Sequence, residues 1–301
     1  MQQNQEKLGI LYITGAYLMW GFLPMYWKLV QDVGAGEILA HRIVWSFVFM
    51  LVIVLILRKW PAFIKECKVI IKDKKKLIGI TVASIMISVN WITFIWAVNS
   101  DHVIQASLGY YINPLVSILL GIVVLKETLT RRQLFSIILA GIGVIYLTIS
   151  FGVFPWVSLL LAFSFAIYGL LKKMVDIGAM FGLTIETMIV TPLAAIYLFS
   201  IPDGSLSWNS LFSTTSLLLL GAGVATAIPL LSFANGAKRI PLSMVGFLQY
   251  FAPTIMLILG VFLYGETFSQ AHLISFVLIW IALIIYMGSA YHRPIRQRKR
   301  I

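Results

Sequence analysis

The sequence predicts an all-α integral membrane protein of ten transmembrane helices arranged as two inverted five-helix repeats. Three observations carry this expectation. The apolar content exceeds what a water-soluble core can hide, the basic residues sit on alternate connections, and one set of residues recurs at constant spacing in both halves.

Of 301 residues, 60% are hydrophobic and 11% charged, against about 45–50% and about 25% in a soluble domain. The surplus has to face lipid. A net charge of +12 raises nucleic acid as a partner class. The basic residues, however, occupy short stretches between apolar runs, and no nucleic-acid-binding signature accompanies them, so none is expected. Cys67 is the single cysteine, which leaves no intramolecular disulfide and no multi-cysteine metal site. The polar start, Met1–Lys7, is followed from Leu8 by an apolar run of full span length, read as a retained first helix rather than a signal peptide.

A hydrocarbon core of ~30 Å takes about 20 helical residues. Apolar runs of that length place spans near 8–30, 37–57, 77–99, 103–125, 132–150, 153–171, 178–200, 211–233, 240–263 and 269–289. The connections at 100–102 and 151–152 are very short, and 58–76 is a long basic loop. Charge tests the count, because cytoplasmic connections carry the excess of Lys and Arg. The N-terminus holds one such residue, 58–76 eight, 126–132 three, Lys172–Lys173 two, Lys238–Arg239 two and the tail after 290 five. The opposite-side connections at 100–102, 151–152, 201–210 and 264–268 hold none. A wrong span count scrambles this alternation, so both termini are expected in the cytoplasm.

The repeat is visible as matched residues. Lys28, Asp32, Gly34 and Ala35 recur as Lys172, Asp176, Gly178 and Ala179, a shift of 144. Tyr111, Pro114, Gly121, Glu127, Thr128, Ser136 and Leu139 recur as Tyr250, Pro253, Gly260, Glu266, Thr267, Ser275 and Leu278, a shift of 139. The difference reflects the longer 58–76 loop. The chain therefore divides into residues 1–150 and 151–301. Five is odd, so the second half enters the membrane upside down relative to the first. Inverted repeats exchange conformations about a shared midplane site, the arrangement found in secondary transporters.

Polar groups deep in lipid are costly and each is a functional candidate. His41 and Arg42 lie in the second span and Glu186 in the seventh, with Arg42 and Glu186 matched by the 144-residue shift. At ~1.5 Å per residue, Arg42 sits about 7 Å to the outer side of its helix centre and Glu186 about 4–5 Å to the inner side of its own. That offset favours opposite charges flanking a cavity over a direct salt bridge. The Arg42 fork matches a substrate carboxylate. Glu186 is a candidate for taking up a proton; both residues also suit satisfaction of neighbouring carbonyls and hydroxyls. Asn90, Asn99, Asn113, Asn235 and Gln249 are read as interhelical links. Trp91, Tyr111 and Gln249 are candidate cavity-wall residues, and Pro114 and Pro253 are repeat-mated candidate hinges. No G-x-S-x-G, H-E-x-x-H, Walker A or dinucleotide motif is present, so neither an enzyme nor an ATP-driven pump is expected.

These stretches resemble a known family. Trp20-Gly21 with Pro24 and Lys28, Glu37-Ile-Leu-Ala-His41-Arg42, Ser107-Leu-Gly-Tyr-Tyr-Ile-Asn113-Pro114-Leu and Leu125-Lys-Glu127 are similar to the EamA branch of the drug/metabolite transporter superfamily. So are Thr226-Ala-Ile-Pro229-Leu-Leu and Gly246-Phe-Leu-Gln249-Tyr250-Phe-Ala-Pro253. Within that branch the resemblance is to RarD-like permeases and covers essentially the whole chain. It implies a permease of the bacterial cytoplasmic membrane with its cavity between the halves, walled by Arg42, Asn90, Trp91, Tyr111, Glu186 and Gln249. The function expected is secondary-active, proton-coupled export of small metabolites or drug-like solutes. A membrane sensor or scaffold that binds a ligand without moving it is the alternative. Expected partners are a small-molecule solute, membrane lipids and protons, with a homodimer as an allowed assembly. No cofactor or metal is expected.

Overall fold

The structure is a computed structural model that describes residues 2–99, 103–152, 154–201, 213–265 and 268–291. Its helices are α1 (Gln2–Lys28), α2 (Ala35–Ile56), α3 (Trp60–Lys72), α4 (Lys74–Asn99), α5 (Val103–Val123), α6 (Arg131–Phe151) and α7 (Trp156–Met174). They continue as α8 (Ala179–Ser200), α9 (Thr214–Ala237), α10 (Leu242–Gln249), α11 (Phe251–Ile258) and α12 (Gln270–Tyr291). Among the described residues, nine stretches are long and apolar enough to cross a membrane, with α10, α11 and a following π-helical turn forming one of them. In α5 the apolar segment Leu108–Val123 is shorter than these nine.

Local chemistry sets the helix ends. Thr130 opens α6 with a reciprocal cap: its Oγ accepts from the Gln133 N–H at 3.2 Å while Gln133 Oε1 accepts from the Thr130 N–H at 2.9 Å. Gly152 closes α6 in the left-handed region, φ 67°. Gly34 and Gly178 precede α2 and α8 with nearly the same backbone, φ −56° ψ 135° and φ −55° ψ 140°. Lys126 and Gly265, which follow α5 and the π-helical turn, are both left-handed at φ 54° and 68°.

Three sequence readings need correction. The basic stretch 58–76 is not a loop: it contains α3, thirteen residues long with Pro61 in its first turn. Phe63, Cys67 and Ile70 recur every three or four residues, with Ile64 next to Phe63, and pack beside Val54, Ile80 and Ile185. The segment is too short for a span but has a helical apolar stripe. The ninth span is not one continuous helix. Pro253 has no N–H for the Gln249 carbonyl, and the helix is interrupted at Tyr250, with a π-helical turn at Leu259–Leu263. Its counterpart Pro114 lies inside an uninterrupted α5. Lastly, Lys172 and Lys173 belong to the last turn of α7 rather than to a connection.

The main packing pairs join residues before 150 to residues after it. Helix α1 packs on α9 and α11, α2 on α8 and α9, α4 on α7 and α8, α5 on α7 and α10, and α6 on α12. Small residues permit the closest approaches, as expected where lipid is as apolar as the helix faces. At the α2–α9 contact, Ser46 Oγ donates to the Gly223 carbonyl at 3.0 Å. A Cβ on Gly223 would overlap the Trp45 and Ser46 backbone. Between the halves lies an aromatic cluster of Tyr17, Trp20, Phe165, Tyr168 and Phe233.

Candidate functional site

Among the described residues two polar clusters stand out, the first drawing on helices of both halves and the second on α7 and α8. The first is built on Arg42, in the second turn of α2. Its Nε donates to Thr226 Oγ1 of α9 at 3.1 Å. The guanidinium carbon lies 4.7 Å from the ring centre of Trp27 on α1 and 5.4 Å from that of Trp91 on α4. Both rings offer a negative face to a cation in a water-poor place. Four helices thus hold one half-buried guanidinium.

The second cluster is built on Glu186 of α8. Lys172 Nζ donates to Glu186 Oε1 at 2.7 Å, and Tyr168 OH donates to Oε2 at 3.2 Å. The two charged side chains are 6% and 5% exposed, so this ion pair is screened from water rather than weakened by it. A crevice of about 10 Å³ adjoins it, on the order of the space one water needs. Gly79, Ala83, Lys172, Gly182, Glu186 and Lys238 are among its walls. Lys238, just past the end of α9, donates to the Ile177 carbonyl. Burial, then the neighbouring Lys172 ammonium, holds Lys238 below the ordinary lysine range, with Asp176 opposing them.

The candidates read from sequence separate into those on the Arg42 cluster and those elsewhere. Trp91 is beside Arg42. Glu186 is not: among the described residues the ion pairs are His41–Glu37, Lys76–Glu66 and Lys172–Glu186. His41 is buried, accepts at Nδ1 from Trp45 Nε1 at 3.0 Å and lies 3.9 Å from Glu37, all along its own helix. Asn90 Nδ2 donates to the Leu161 carbonyl at 2.9 Å and to Ser164 Oγ at 3.1 Å, tying α4 to α7. Gln249 Oε1 accepts from Tyr17 OH at 3.3 Å. The Tyr111 carbonyl accepts from its repeat mate Tyr250 at 3.4 Å, and its ring meets Phe276 edge-on. Asn113 Oδ1 accepts from Ser117 within α5, and Asn235 donates to Leu231 within α9. The Asn99 side chain and Glu266 and Thr267 lie outside the described residues.

Sequence reasoning missed Thr226, Trp27, Tyr168 and above all Lys172. Its signal was present: Lys172 is the mate of Lys28, which also stands at a span's end. A second missed contact is Glu127, which caps α10. Its Oε1 accepts from the Leu242 N–H at 2.6 Å, and its Oε2 accepts from the Ser243 N–H at 2.9 Å and Ser243 Oγ at 2.7 Å. The carboxylate satisfies orphan donors at a helix start and opposes its dipole.

The sequence profile of the EamA-like transporter family matches residues 7–149 and 154–288. The chain belongs to the EamA-like transporter family. It is 48% identical over 293 residues to the uncharacterized transporter YojE of Bacillus subtilis, covering 96% of each chain. It is 43% identical to protein RarD of Escherichia coli, covering 99% of this chain and all of that one. A chloramphenicol-sensitive protein RarD of Pseudomonas aeruginosa is 27% identical over 92% of each. One solved crystal structure aligns with a TM-score of 0.69 at 17% identity, covering 94% of this chain and 98% of that one, which shows a shared fold. The chain is a RarD-like, multi-pass membrane transporter of the EamA-like family.

Proposed function

We infer that this EamA-like protein is a secondary-active exporter of small amphipathic or zwitterionic metabolites, driven by protons across the cytoplasmic membrane. Its ten spans form two inverted repeats, residues 1–150 and 151–301, with both termini in the cytoplasm. The observation that carries the reading is the Arg42 guanidinium, held between two indole rings where helices of both halves meet.

Helix starts support the repeat. α2 and α8 begin 144 residues apart, and α5 and α10, like α6 and α12, begin 139 apart, matching the sequence shifts. The packing supports it too. Exchanging each span for its mate turns α1–α9 into α4–α7, α2–α9 into α4–α8 and α1–α11 into α5–α7. The α2–α8, α5–α10 and α6–α12 contacts map onto themselves, and every one of these pairs is in contact. Such a set of contacts suits two halves that trade conformations about one site.

Arg42 binds the carboxylate or other anionic group of the solute through the two terminal nitrogens that the Thr226 bond does not use. The indoles take its apolar part. Glu186 accepts the coupling proton. Its protonation exchanges an ion pair for a neutral carboxyl and frees the Lys172 ammonium, so the proton and the internal ion pair compete for one carboxylate. The test is solute uptake into inside-out vesicles from cells that overproduce the protein, with metabolites tracked by mass spectrometry. Wild type accumulates a carboxylate-bearing solute when a proton gradient is imposed, and Arg42→Ala lowers that accumulation at least about tenfold, the effect of losing about 1.4 kcal/mol of binding. Equal uptake by wild type and Arg42→Ala contradicts the site assignment.

A further inference from the structure

Helix α3 carries charge and apolar surface that the transport site does not use. Its deepest face, Phe63, Cys67 and Ile70, packs toward α2, α4 and α8. At 100° per residue, the neighbouring strip of the helix is Trp60, Ile64 and Ile71. Trp60 and Ile71 are 42% and 68% exposed. Beyond that strip come Lys65, Lys68 and Lys72, all exposed, with Glu66 on the other side of the packed face. The order around the helix is therefore protein, apolar edge, lysines.

The apolar edge does not stand alone. Ile56 and Leu57, where α2 ends, and Leu77 and Ile78, where α4 begins, are exposed as well. They are the ends of two membrane-length helices, so the edge of α3 continues their lipid-facing surface. Arg58, Lys59, Lys74 and Lys75 are exposed around it. A helix with this layout lies in the plane of the interface, its apolar edge among acyl chains and its ammonium groups at headgroup level.

We propose that α3 is a binding site for anionic phospholipid: Lys65, Lys68 and Lys72 hold phosphate-bearing headgroups while Trp60 and Ile71 sit in the acyl region beneath them. The inference goes beyond solute transport and stands whether or not Arg42 binds solute. Charge complementarity selects this partner, since juxtamembrane lysines are attracted to anionic leaflets, and continuity of the apolar edge with the lipid-facing surface places it.

The test reconstitutes the full chain in phosphatidylcholine vesicles containing spin-labelled phosphatidylglycerol or spin-labelled phosphatidylcholine. It compares the motionally restricted fraction of each label. Wild type favours phosphatidylglycerol. The triple variant Lys65→Gln, Lys68→Gln, Lys72→Gln lowers that preference at least about fivefold, the equivalent of about 1 kcal/mol lost at the surface. The control Lys126→Gln, Arg131→Gln, Arg132→Gln removes the same charge elsewhere and lowers it less. In parallel, the emission of wild type minus that of Trp60→Phe is quenched by acyl-brominated lipid. Equal loss in both triple variants reduces α3 to generic charge and overturns the proposal. Unquenched Trp60 overturns it as well, since a second copy or another protein would then cover this face.

Discussion

Lys172 and Glu186 show what a buried pair demands of each partner. Removing one leaves an uncompensated charge among helices, which costs about 3–5 kcal/mol, whereas replacing both with apolar groups of similar volume is close to neutral. Glu186→Gln is thus expected to lower the detergent-denaturation stability of the protein by about 3–5 kcal/mol, and Lys172→Met with Glu186→Leu to regain most of it. Transport separates architecture from coupling. If Glu186 takes the coupling proton, the double variant folds but no longer responds to a proton gradient. Gradient-driven transport by the double variant makes the pair purely structural. Glu186 was legible in the sequence because a lone carboxylate in an apolar run is conspicuous. Its partner was not, because a lysine within a turn of a span's end satisfies the charge rule for a connection equally well. Only the helix phase, which places Lys172 four residues after Tyr168 on one face of α7, separates those readings.

Packing between elements rests on missing side chains as much as on present ones. The α2–α9 approach requires Gly223, whose added Cβ would meet backbone rather than a yielding side chain. Gly223→Val is expected to cost at least about 1–3 kcal/mol and to lower the yield of monodisperse protein after mild heating. Gly141→Ala, on a helix with nothing within 4 Å of the added methyl, is expected to stabilise by about 0.5–1 kcal/mol through helix propensity. Helix α3 makes a separate prediction through Cys67, the single cysteine. Burial pushes its thiol up, against a backbone hydrogen bond that lowers it and with a smaller upward push from Glu66. Since the thiolate is the nucleophile, a raised pKa leaves less of it at neutral pH, so maleimide labelling should be slower than for a free thiol and its rise displaced to more alkaline pH. Span-length elements were readable because lipid thickness fixes their length. α3 was hidden because thirteen residues rich in lysine look like a loop unless the stripe Phe63, Ile64, Cys67 and Ile70 is phased. The interruption at Tyr250 was hidden for another reason: Pro114 and Pro253 are the same residue at matched positions, and their surroundings decide which helix breaks.

For the molecule as a whole, the same exchange of halves relates the sequence matches, the helix starts and the packing pairs. It places Arg42 and Glu186 at equivalent positions with different partners, an indole-lined cation in one half and a lysine-bound carboxylate in the other. On the proposed function, this asymmetry would give the two conformations different affinities for solute and proton. The matches were legible in the sequence because their spacing is constant, at 144 or 139 residues. The partners Thr226, Trp27 and Tyr168 were not legible there, because none of them has a matching residue in the other half.

Alternation itself is tested most directly by access to the Arg42 site. In a Cys67→Ser background, Thr226→Cys places one thiol beside the guanidinium, and membrane-impermeant maleimide is applied to right-side-out and inside-out vesicles. Labelling from both faces is expected, with an imposed proton gradient shifting the ratio between them. Labelling from one face alone, unchanged by the gradient, contradicts alternation.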